Sequence, residues 1–197
     1  FLLSGPLIST IFLGGSFSDY DLMMTDISLR GYSIGIIGLC MVLVLSPAFY
    51  AREDTKTPLR FGLITLFVNV ILSILFVSYF MNENSDYPHL GLALAFSIAS
   101  ITNAGLLFYR LIIDGLIEIN QDGLIHILRI ALATAAMIAF LITFNPENTL
   151  WANSALSERI RSLFFLISLS VVIYFSILFL LGFRFRDLRV ESTSEQL

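Results

Sequence analysis

The chain has 197 residues, of which 57% are hydrophobic and 13% charged, with 11 basic against 15 acidic residues and a mean hydropathy of +0.87. A soluble domain carries charge at about a quarter of its positions, so this composition excludes water as the main solvent, and the lack of a Lys/Arg cluster argues against a nucleic-acid partner. The single cysteine, Cys40, excludes an intrachain disulfide or a thiolate metal site and is expected to be a small buried apolar residue.

In chain order, residues 1–13 form an apolar block too short to cross a bilayer, and they are expected to be the end of a longer helix. The chain starts at Phe1 without a basic stretch and cleavage site, so neither a natural N-terminus nor a signal peptide is expected there. A loop over Gly14 to Asp26 follows, with three aspartates and no Lys or Arg. Five full spans come next, roughly Gly31 to Ala51, Phe61 to Met81, Leu90 to Tyr109, Leu124 to Phe144 and Ser162 to Phe183. Each is long enough as a helix to cross a ~30 Å hydrocarbon core. They group as three spans over 31–109, a segment 110–123 that is either a loop or a helix lying along the interface, a final pair over 124–183, and a tail 184–197. The fold class is therefore all-α, a polytopic transmembrane bundle. A β-barrel would need strands alternating apolar and polar residues, whereas these blocks are apolar on every face.

Orientation follows from the loops. Arg52, Lys56, Arg60, Arg110, Arg129, Arg184, Arg186 and Arg189 fall on one side, against Arg30, Arg159 and Arg161 on the other. The first side is read as cytoplasmic, which places the C-terminus inside and the acidic loops outside, with Arg159 and Arg161 as the exception.

The central part of every span lacks charge, so an ion pathway or proton relay is not expected in this part of the protein. His89 and His126 lie at opposite membrane faces and cannot share a metal, and no catalytic set, phosphate loop or cofactor motif stands out. Neither an enzyme nor a metal or cofactor site is expected. Gly31 and Gly35, then Gly91, Ala95, Ala99 and Asn103, then Ala131, Ala135 and Ala139 form small-residue stripes that let helices approach closely. Thr65, Asn69 and Ser73 align at four-residue spacing and either line a polar cavity or hydrogen-bond a neighbouring helix. Pro47 removes a backbone donor near the end of its span and should kink or loosen it. In the hairpin that follows, Thr57 suits an N-cap and Pro58 the first helical position.

The run from Ser46 to Pro58, SPAFYAREDTKTP, closely resembles the signature hairpin of the MurJ (MviN) family of lipid II flippases. Its signature residues are Pro47, Arg52, Asp54, Lys56, Thr57 and Pro58, and the stretch from Arg52 to Pro58 is its most specific part. Gly15, Phe17 and Asp21, the trio Tyr32, Gly35 and Gly38, the stretches from Gly91 to Ala95 and Asn103 to Leu107, and Leu181 to Phe183 extend the resemblance over the whole chain.

That resemblance implies a fourteen-helix fold of the multidrug, oligosaccharidyl-lipid and polysaccharide exporter superfamily, with both ends cytoplasmic. The chain would then be a C-terminal fragment comprising the end of helix nine and helices ten to fourteen, most of the second lobe plus the final pair. The implied function is translocation of lipid II, an undecaprenyl-pyrophosphate-linked disaccharide-pentapeptide, from the inner to the outer leaflet of the bacterial inner membrane for cell-wall synthesis. Its partners would be lipid II, membrane lipids and the missing N-terminal lobe, with the pyrophosphate site in that lobe and the lipid tail in an apolar groove of the final pair. The alternatives are an exporter of another polyprenyl-linked oligosaccharide and a non-transporting scaffold for cell-wall enzymes.

Overall fold

A computed structural model describes residues 1–13, 17–83, 87–117, 121–145, 151 and 154–182. The tail 184–197, with Arg184, Arg186 and Arg189, lies outside the described residues, as do Gly15 and Phe183. The secondary structure is helical: α1 Ser4–Phe12, α2 Asp19–Tyr50, α3 Lys56–Asn82, α4 Pro88–Ile113, α5 Gln121–Phe144 and α6 Leu156–Leu180. Five of these, α2 to α6, are long and apolar enough to cross a membrane. The chain divides into two compact units, α1 to α4 and α5 with α6.

In the first unit α4 is the central helix, packed along both α2 and α3, while α2 and α3 scarcely touch each other. Glycine makes the first contact possible. A Cβ on Gly35 would sit 2.7 Å from the Ser97 Cα, and one on Gly38 would sit 2.6 Å from the Ile101 backbone nitrogen. Both are closer than a methyl group tolerates, so the backbones of α2 and α4 meet where those side chains are missing. The Ser97 hydroxyl donates to the Gly31 carbonyl at 2.6 Å across the same seam. Gly91 does for α4 and α3 what Gly35 does for α2 and α4, its missing Cβ lying 2.9 Å from the Val77 nitrogen. The two stripes therefore serve different neighbours of one helix.

The α2 helix begins at Asp19, inside what the sequence suggests is a loop over Gly14 to Asp26. A capping box starts it: Asp21 N–H donates to the Ser18 hydroxyl at 3.3 Å while Ser18 N–H donates to the Asp21 carboxylate at 2.9 Å. The early start puts Asp26 and Arg30 inside the helix four residues apart, bridged at 2.8 Å. Ser4 of α1 donates its hydroxyl to buried Asp26 and accepts from Arg30 Nε at 3.2 Å. The short α1 is thus held against α2 by one carboxylate with two donors.

In the second unit α5 and α6 pair antiparallel. Arg129 of α5 donates to the Gly182 carbonyl just past the end of α6 at 3.4 Å, the end where a helix dipole favours a cation. The stripe Ala131, Ala135 and Ala139 expected to pack is exposed, and Ala133 and Leu141 are the buried α5 positions. With α6 as its partner among the described residues of this unit, α5 covers one face against it. Cys40, expected to be buried, is exposed, because α2 turns its glycine face to α4 and Cys40 lies off that face. Between α4 and α5 no separate helix forms among the described residues.

Candidate functional site

The α2–α3 hairpin is closed by hydrogen bonds at both of its helix ends. At the end of α2, Asp54 N–H donates to the Phe49 carbonyl and Glu53 N–H to the Tyr50 carbonyl, both at 3.0 Å. Glu53 between them has φ +60°. This is a Schellman termination, which usually places glycine at the left-handed position. Here a glutamate occupies it against the steric preference of an L residue.

The next helix is capped by Asp54, correcting the expectation for Thr57. Its carboxylate accepts from Lys56 N–H at 3.1 Å and Thr57 N–H at 3.0 Å, satisfying two of the donors a helix start leaves open. The physical reason is reach: α3 begins at Lys56, so Thr57 is already helical and Asp54 stands just ahead of the helix. The Thr57 hydroxyl and N–H together hold the Asp54 carboxyl below its ordinary range, with Arg52 adding a smaller pull in the same direction. Pro58 follows in the first turn, where its missing N–H costs nothing.

A second helix end anchors the hairpin. The α4 helix finishes in another Schellman turn, with Leu116 N–H on the Leu111 carbonyl and Gly115 N–H on the Ile112 carbonyl, both at 3.0 Å, and Gly115 at φ +71°. Asp114 in that turn accepts from Arg52 at 3.0 Å and from Arg110, one turn earlier, at 3.2 Å. Beneath the pair lies the apolar core of this end, fully buried Phe49, Leu107 and Leu111 with Val42, Leu45, Phe61 and Ile117 against it. Phe49 supplies both the packing and the carbonyl that closes the α2 turn. Asp114 and Arg110 are the partners that sequence reasoning missed. The signal available was a carboxylate four residues after Arg110 and next to a glycine suited to a helix end.

Beside the hairpin a cleft of about 740 Å³ opens between α2 and α3, with Ser46, Tyr50, Thr55, Pro58 and Leu63 among its walls and Asn103 of α4 on its lining. Of the sequence-selected residues, Pro58 and Asn103 meet here. Thr65 is buried, and its hydroxyl donates to carbonyls of its own helix, Phe61 at 3.0 Å and Gly62 at 3.1 Å. The Asn69 and Asn103 side-chain oxygens are buried with no hydrogen-bond partner among the described residues. Pro47 sits inside α2, whose helical bonding resumes immediately, since Ala51 N–H donates to the Pro47 carbonyl at 2.9 Å. No group of three or more potential metal ligands occurs among the described residues.

The profile of the family described as lipid II flippase MurJ matches residues 1–179. A protein of Vibrio cholerae serotype O1 named probable lipid II flippase MurJ is 32% identical over 188 residues, covering 95% of this chain and 34% of the relative. Its counterpart in Buchnera aphidicola subsp. Schizaphis graminum, of the same printed name, is 33% identical over 93% of this chain and 34% of its own length. The lipid II flippase MurJ of Burkholderia cenocepacia is 27% identical over 96% of this chain and 36% of itself. The chain spans about a third of the length of the curated relatives it matches.

Proposed function

This chain belongs to the lipid II flippase MurJ family, and from that premise we propose that it supplies about a third of a transporter that carries lipid II from the inner to the outer leaflet of the bacterial inner membrane. The observation that carries the reading is the family match over residues 1–179, joined to five helices of membrane-spanning length and composition. Translocation of a lipid breaks no covalent bond, so the activity is transport and not catalysis. The remaining helices of the transporter are its obligatory partner.

In this reading the hairpin, the α4–α5 connection and the tail face the cytoplasm, following the positive-inside bias, and the connections on the other side face the periplasm. Alternating access moves packed helix groups as bodies around a central site. The glycine-tight seams of α4 and the Arg52–Asp114–Arg110 cluster suit the first unit to move as one such body. Arg52, Asp54, Lys56, Thr57 and Pro58 hold the cytoplasmic corner, Pro47 loosens the turn before it, and Thr65, Asn69, Ser73 and Asn103 are polar packing positions. The apolar α5–α6 pair suits contact with an isoprenoid tail.

Depleting the full-length protein and measuring lipid II in each leaflet tests the assignment. Lipid II should collect in the inner leaflet, the wild-type gene should release it, and Arg52→Ala should release it severalfold more slowly at equal membrane abundance. Normal arrival of lipid II in the outer leaflet after depletion would overturn the proposal. Trapping of a different polyprenyl-linked saccharide would favour the wider exporter reading, and trapping of none would favour a scaffold.

A further inference from the structure

Arg159 and Arg161 contradict the charge bias that orients every other loop, and the two arginines turn out to be in different circumstances. Arg159 is buried at 9% exposure and its Nε donates to the Ser154 carbonyl at 2.8 Å, so it closes the start of α6. Arg161 has no hydrogen bond or ion pair among the described residues. It lines a cleft of about 360 Å³ between the end of α5 and the start of α6, with Ser162, Phe144, Phe165 and Leu166 as the other lining residues among those described.

Depth in the membrane gives this arrangement its meaning. From Ser162 to Leu180 the helix carries no charge, and at ~1.5 Å per residue that stretch crosses the ~30 Å hydrocarbon core. Arg161 therefore stands at the level of the lipid phosphates, and Phe165 and Leu166, one turn along, at the level where acyl chains begin. Arginine presents a planar set of donors matched to phosphate oxygens. Arg161 is the one cation that lines the cleft among the described residues.

We propose that this cleft binds an anionic glycerophospholipid of the outer leaflet, with Arg161 and Ser162 receiving its phosphate and Phe144, Phe165 and Leu166 flanking the upper part of one acyl chain. The outer-leaflet placement rests on the orientation given under Proposed function. Charge favours a phosphodiester over the pyrophosphate of the cargo, because one cation without a described partner matches the single charge of one phosphodiester group.

The test uses the full-length transporter in detergent, with native mass spectrometry counting bound phosphatidylglycerol, phosphatidylcholine of the same chains, and undecaprenyl pyrophosphate. Phosphatidylglycerol should bind more tightly than phosphatidylcholine. Its affinity should fall about tenfold in Arg161→Gln, the loss expected for one charge-assisted hydrogen bond, and recover in Arg161→Lys. Equal phosphatidylglycerol affinity in wild type and Arg161→Gln would overturn the site. So would undecaprenyl pyrophosphate as the one lipid whose binding depends on Arg161, since the cargo would then be the occupant. Orientation is read separately from Ser157→Cys in a cysteine-free background. Labelling by an impermeant maleimide in intact spheroplasts supports the outer leaflet. Labelling only after lysis would overturn that placement while leaving the detergent result to judge the cleft.

Discussion

A missing methyl group decides how α2 and α4 meet. Gly38 faces backbone, with the Ser100 carbonyl carbon and the Ile101 nitrogen both 2.6 Å from where its Cβ would stand, and backbone cannot rotate aside as a side chain does. Gly38→Ala should therefore destabilise the protein by about 1–3 kcal/mol, the usual range for overpacking, seen as a lower thermal midpoint in detergent. Gly105 in α4 has nothing within 4 Å of the same position, so Gly105→Ala should be neutral or stabilising by up to about 1 kcal/mol. Equal effects from the two changes would remove the packing argument. Asp54 supplies a second test at this scale. Its carboxyl is held below the ordinary range by Thr57, so its capping contribution is complete above the unfolded carboxyl pKa and is lost as pH falls through the depressed folded value. Asp54→Asn should lower the thermal midpoint at neutral pH, and the gap to wild type should close as the solution is acidified below the carboxylate range. A gap independent of pH would mean that charge and capping geometry are not what Asp54 contributes.

Two helix ends, each closed by its own Schellman turn, are joined by Asp114. The arginines on it are about half exposed, 47% for Arg52 and 48% for Arg110, so water screens both pairs and each contributes at most about 1 kcal/mol. The fully buried Phe49, Leu107 and Leu111 carry most of the stability at this end, since burying one large apolar side chain contributes about 1.5–3 kcal/mol; in a membrane that holds for the water-facing end more than for the lipid-facing flank. Asp114→Ala should thus change the thermal midpoint little. It should raise amide exchange selectively over residues 51–55, which hydrogen–deuterium exchange with mass spectrometry can resolve. Unchanged exchange there would show that the turn holds its conformation without α4.

Across the whole molecule, the proposed orientation puts the hairpin inside the cell and the start of α2 outside, following the positive-inside bias. Single cysteines at Glu53 and Tyr20, both exposed, should accordingly react with impermeant maleimide from opposite sides in a cysteine-free full-length protein. Reaction from one side at both would refute the odd number of crossings between them. The two compact units carry different work in the proposed transporter. One is a glycine-tight three-helix packing with a clamped corner, and the other is an open apolar pair whose exposed face includes Phe164, Phe165 and Phe179.

Much of this was legible in the residues alone, and the reason is lipid. Long uncharged blocks have one economical solution in hydrocarbon, a hydrogen-bonded helix, so the five crossing helices could be read from composition, and the SPAFYAREDTKTP hairpin carried the family. Local rules also anticipated a tight turn at Arg52 to Pro58, though they assigned its cap to Thr57. What the chain could not reveal by itself were relations between distant positions. That α4 is the shared partner of α2 and α3, that Ala133 and not the Ala131 stripe is covered, that Cys40 is exposed, and that Arg52 finds Asp114 while Arg161 finds no described partner all depend on which face of each helix meets another. In lipid the apolar faces of a helix look alike in sequence whether they touch a neighbour or an acyl chain, so only the packed structure distinguishes them.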